Sequence, residues 1–134
     1  MSAASGLQLD LLGTTGTRWS EQGGEPGAPV LISWAGSASV PELSGRTAGL
    51  GGATFVTLPD GRSWHASGQV VLDVDADLGE EGTAAVLDHE LGHVLGLDHV
   101  TDPAELMAAE NGGQTGFGPG DLEGLAALGA IDCP

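Results

Sequence analysis

The stretch His89-Glu90-Leu91-Gly92-His93-Val94-Leu95-Gly96-Leu97-Asp98-His99 decides how this chain is read. It holds all but one of the chain's histidines, since only His65 lies outside it. His89 and His93 are four positions apart, so on a helix their side chains stand one above the other and both imidazoles can reach one point. Zinc binds imidazole nitrogen at about 2.0–2.1 Å, and a catalytic zinc takes three protein ligands and leaves a fourth position open. His99 is the third candidate. A continuous helix would carry it about 240° away from the first two at 100° per residue. Gly96 removes the difficulty, because glycine accepts a positive φ at little steric cost and lets the chain turn back. Glu90 sits beside the first histidine. It is read as a proton acceptor for a metal-bound water and not as a ligand.

The residues around this stretch set its frame. Apolar residues Ala84, Leu87, Leu91, Val94 and Leu95 share one side of a helix that starts near Glu80 and stops at Gly96. The histidines and Glu90 are expected on the opposite side, so that packing and chemistry use different faces. Asp77 and Glu80 have the spacing of a capping box at the start of that helix. Upstream, Gln69–Val74 reads as a strand, and Ala53–Leu58 as another that ends in the turn signal Pro59-Asp60-Gly61. Val30–Ala35 is a continuous apolar run, the pattern of an interior strand covered on both faces. Leu7–Leu11 alternates apolar and polar, the pattern of a half-buried strand. Thr14–Gly27 reads as loop. A last helix is expected from about Asp121 to Leu128, burying Leu122, Leu125, Ala126 and Leu128. Strands followed by helices make an α+β domain with α/β-type layers. Residues 1–134 are read as a single domain, because no glycine-rich stretch is long enough to separate two cores.

Composition excludes more than it assigns. Three basic residues face nineteen acidic ones, a formal net charge of −16. Such a surface repels nucleic acid and anionic membranes, so neither is expected as a partner. No apolar run is long enough to span a bilayer. No basic stretch leads into an apolar run near Met1, so no signal peptide is expected within these residues. Cys133 is the single cysteine, which rules out an intrachain disulfide. Ser63, Ser67 and Cys133 have no neighbouring base to make them nucleophiles.

The zinc stretch resembles the signature of the metzincin metalloproteases. Thr101-Asp102-Pro103-Ala104-Glu105-Leu106-Met107 is similar to the segment leading to the methionine turn of the matrixin branch, and Gly120-Asp121-Leu122-Glu123-Gly124-Leu125 to the start of its last helix. Bacterial matrixin-like proteases are the nearest resemblance. It implies a zincin-like fold: a twisted, mostly parallel sheet with an antiparallel edge strand, an active-site helix and a carboxy-terminal helix. It implies that Met107 forms a hydrophobic floor under the metal, that Asp121 hydrogen-bonds the methionine-turn backbone, and that an extended peptide or protein substrate lies along residues 53–58. It also implies secretion to the extracellular space. Calcium near the last strand is implied as well. There Asp73 matches a family ligand, and Asp75 or Asp77 would stand in for a glutamate that falls on Ala76. The family fold begins with a strand and a long helix before the segment matching Leu7, so the first strand and most of the first helix are expected to be lacking. Val100 stands where the family has serine, and Ala108-Ala109 where it has tyrosine-proline. His65 is out of register for a structural zinc and reads as a loop histidine.

The expected activity is zinc-dependent endopeptidase hydrolysis with one catalytic Zn2+ on His89, His93 and His99, and Glu90 as the base. The alternative is a catalytically silent zinc-containing binding module on the same scaffold.

Overall fold

The computed structural model describes residues 1–21 and 23–131. Cys133 lies outside the described residues. A short helix α1 (Ser2–Ser5) precedes an irregular segment. Strand β1 (Leu31–Ala35), a 3-10 turn (Pro41–Leu43), strands β2 (Gly49–Thr57) and β3 (Ser63–Asp73), and helices α2 (Gly79–Leu95) and α3 (Pro119–Gly129) follow. The strands form one mixed sheet in the order β1-β3-β2. β1 runs parallel to β3, with Ile32 opposite Val70. β2 runs antiparallel to β3 and is the other edge. This is the mixed α+β fold expected from the sequence, including the antiparallel edge strand.

β3 is central because it can bury both faces. Val71 faces the cluster of Val40 and Leu43, to which Trp19 adds its ring. Val70 and Leu72 face Val94, Val86, Leu87 and Leu91 of α2. Each of these fully buried β3 side chains contributes about 1.5–3 kcal/mol. The loop around Trp19 is tied to β3 by the Gln69 amide group, whose Oε1 accepts the Ser20 N–H (3.2 Å) and whose Nε2 donates to the Ser20 carbonyl.

Several expectations are corrected. The interior strand is β3 and not Val30–Ala35. β1 is an edge strand, alternately exposed, with Ile32 and Trp34 open to solvent. α2 packs on β2 and β3, so β1 lacks the cover that its apolar run suggested. Leu7–Leu11 is not a strand. It has no ladder partner, and Leu11 is 92% exposed. The second strand begins earlier than expected, at Gly49, and ends at Thr57, so Leu58 belongs to the turn. No capping box joins Asp77 to Glu80, because Leu78 is the N-cap and makes no side-chain cap bond. On α3 the buried positions are Asp121 and Leu125, while Leu122 and Ala126 are exposed. His65 is in β3 and not in a loop. Its Nδ1 lies 2.7 Å from the Val94 carbonyl, and its ring meets the edge of Phe55.

Candidate metal centre and its supports

Helix α2 ends where the sequence places its stop. Gly96 takes φ 118°, its N–H reaches back to the Gly92 carbonyl, and the Leu97 N–H bonds the same Gly92 carbonyl (2.9 Å). This is the bonding of a glycine-terminated helix whose last carbonyls are satisfied by the turn itself. The reversal brings His99 back over the helix end. The Nε2 atoms of His89, His93 and His99 then lie 3.2 Å from one another in all three pairs. Among the described residues this is the group of side chains that can hold a metal ion. Asp73, Asp75 and Asp77 do not gather into such a group, and the Asp73 carboxylate instead accepts the Asp75 N–H (3.0 Å).

The tautomers follow from the outer bonds. His89 Nδ1 lies 2.7 Å from the Leu106 carbonyl, and His93 Nδ1 lies 2.9 Å from the Leu97 carbonyl. A carbonyl only accepts, so each Nδ1 carries the hydrogen and each Nε2 is left with a bare lone pair. The Nε2 atoms of His89 and His93 are therefore two acceptors in contact and cannot bond each other. A cation between them and His99 suits this donor set. Tetrahedral zinc with bonds of about 2.0–2.1 Å separates its ligand nitrogens by about 3.3 Å, which the observed 3.2 Å spacing fits. Burial, together with the nearby His93 and His99, holds the His89 imidazole below its ordinary pKa, against the pull of the Leu106 carbonyl. That favours the neutral form a metal needs.

Glu90 departs from the helical-wheel expectation. It does not share an exposed face with the histidines, and it is only 8% exposed. It lies against β2, where Gly49 and Gly51 have no side chains to keep the helix away. A Cβ on Gly49 would meet Val86 and Glu90, and one on Gly51 would run into the Glu90 backbone. The Gly51 backbone hydrogen-bonds the Glu90 carboxylate, but burial outweighs this and pushes the carboxyl pKa up to about 7. Packing and chemistry thus share one surface, through a gap made by two glycines. Gly51→Ala is expected to destabilise the fold by about 1–3 kcal/mol, since the colliding atoms are backbone and cannot swing aside. A denaturant titration checks this. An unchanged midpoint would show that the strand–helix contact is looser than described.

Met107 is 1% exposed and packs against α2. Its sulfur packs so close to Gly92 that a Cβ there would stand 2.6 Å from it. The turn that carries Met107 is closed by the Ala108 N–H to the Glu105 carbonyl and tied to His99's neighbour by the Val100 N–H to the Met107 carbonyl (3.0 Å). Asp121, 2% exposed, accepts the amides of Leu106 (2.6 Å), Met107 (3.3 Å) and Gly118 (3.0 Å). Sequence reasoning overlooked Glu105. Its carboxylate, also buried, accepts the amides of Gly120 (2.9 Å) and Asp121 (2.8 Å). A carboxylate directly before Leu106-Met107 was the available signal.

A mixed sheet, a helix presenting two histidines and a third returned by a glycine turn are the parts of a zinc metalloendopeptidase. The family model described as Matrixin matches residues 43–125, which is most of the chain, and the chain belongs to that family. No curated protein and no solved structure matches it. The match includes the metal group, so the domain is a zinc-dependent catalytic one. Both findings support a catalytic domain over a silent scaffold.

Proposed function

We propose that this chain is a single catalytic domain, residues 1–134, that cleaves peptide bonds with one zinc ion held by His89, His93 and His99. The observation that carries this reading is the set of three Nε2 atoms at 3.2 Å spacing, two of them with tautomers fixed by backbone carbonyls. When bound, the metal acidifies a water and polarises the scissile carbonyl. Glu90 accepts the proton of the attacking water on its carboxylate and returns it to the leaving amine. The Gly51 backbone steers that carboxylate, and the sheet excludes bulk water from it. Met107 keeps the floor of the site apolar and fixes the height of α2. Gly96 makes the turn that His99 needs.

The substrate is a protein or peptide in extended form along residues 53–58. β2 supports this because it pairs with β3 alone. Among the described residues no second strand pairs with its outer edge, and such an edge can add an extended strand. Matrixins are typically secreted, and the site of action we assign is extracellular. Among the described residues no helix is long and apolar enough to cross a membrane. A quenched fluorescent peptide tests the function. Cleavage is expected within the peptide, lost on chelation and regained with zinc. Cleavage that ignores the chelator, or none from zinc-loaded folded protein, would contradict it.

A further inference from the structure

We propose that Glu105 is a positioning residue of the metal site: its carboxylate caps α3 from the turn beneath His89 and so fixes the Leu106 carbonyl that orients the His89 imidazole. The inference rests on the reading of His89 as a zinc ligand.

Helix α3 needs help at its start. Its N-cap is Gly118, which has no side-chain oxygen to accept the first free amides. Asp121 covers the Gly118 N–H, but the amides of Gly120 and Asp121 go to Glu105, fifteen and sixteen residues away in sequence. The glycines make this possible. A Cβ on Gly118 would collide with the Glu105 carboxylate, and one on Gly120 would stand 3.1 Å from its Cδ. Glu105 therefore occupies the place of a local cap.

The tie runs both ways. Glu105 in the turn grips amides of the helix, and Asp121 in the helix grips amides of the turn. Between these anchors stands Leu106. Its N–H is held by Asp121 and its carbonyl receives His89 Nδ1 at 2.7 Å. With both carboxylates in place, the turn cannot shift along α3 without breaking several charge-assisted bonds. With Glu105 gone, the buried amide of Asp121 and the part-buried amide of Gly120 lose their acceptor and one end of the turn is released. The Leu106 carbonyl then no longer fixes the tautomer and tilt of His89. Outer partners of this kind are worth about 10–100-fold in metal affinity.

The test is zinc affinity by chelator competition, with thermal melting measured in parallel, on the full chain and three variants. Glu105→Ala removes the tie. Glu105→Gln keeps the volume and one acceptor oxygen. Glu105→Ala with Gly118→Ser gives α3 a local cap in the vacated space but no link to the turn. Zinc should bind about 10–100-fold more weakly to Glu105→Ala and to the double variant, and less weakly to Glu105→Gln. The double variant should meanwhile regain melting temperature. If Glu105→Ala does not fold, the double variant gives the reading. Zinc binding by the double variant within about twofold of the parent would show Glu105 to be only a helix cap, and would overturn the proposal. A parent chain that binds no zinc would instead overturn the histidine site itself.

Discussion

Glu90→Gln is expected to keep zinc and lose about 10²–10⁴-fold in peptide turnover, the range for removing a general base. The amide has the same shape as the carboxylate. It can still accept a hydrogen bond from the Gly51 backbone and fill the gap beside Gly49. It cannot take a proton. Burial disfavours the charge of Glu90, so the neutral amide should melt no lower than the parent. The check is turnover and zinc content measured on the same preparation. Near-parental turnover with zinc retained would remove Glu90 from the reaction. Zinc lost together with turnover would make it a ligand, a role its packing against β2 does not favour.

His99→Ala is expected to weaken zinc binding by more than about a hundredfold, beyond the loss typical of an outer partner, and to abolish turnover at trace zinc. His99 is exposed and sits beyond the Gly96 turn, so its loss leaves the α2 core contacts intact. The melting temperature of the metal-free protein should therefore change little, while the stabilisation that zinc adds should largely disappear. Chelator competition and melting with and without zinc check both. A variant that holds zinc as tightly as the parent would show that two histidines suffice and that the 3.2 Å approach of His99 Nε2 to the others serves no coordination.

These expectations could be drawn early because the metal site is written locally. Four-residue spacing, a glycine stop and a third histidine all lie within eleven consecutive positions, and local geometry carries them. The sheet is less local. Val30–Ala35 and Gln69–Val74 are both apolar runs, and nothing within either says which has neighbours on two sides. That depends on α2, which covers β3 and leaves Ile32 and Trp34 exposed. The alternation of Leu7–Leu11 suggested a strand, but a strand needs a partner and this one has none. Glu90 was placed on the wrong side because a helical wheel knows only its own helix. The gap that receives Glu90 is made by Gly49 and Gly51 on another element. Glu105 was missed for the same reason: its partners are backbone amides of Gly120 and Asp121, fifteen or more positions away, and backbone groups leave no mark in composition.

X-ray absorption at the zinc edge, on the chain loaded with one equivalent of zinc, reads the ligands without reference to activity. Three imidazole nitrogens and one further light-atom ligand are expected at about 2.0–2.1 Å, and no sulfur. The pattern should lose one imidazole in His99→Ala. Fewer than three imidazoles in the parent, or a sulfur ligand at about 2.3 Å, would contradict it.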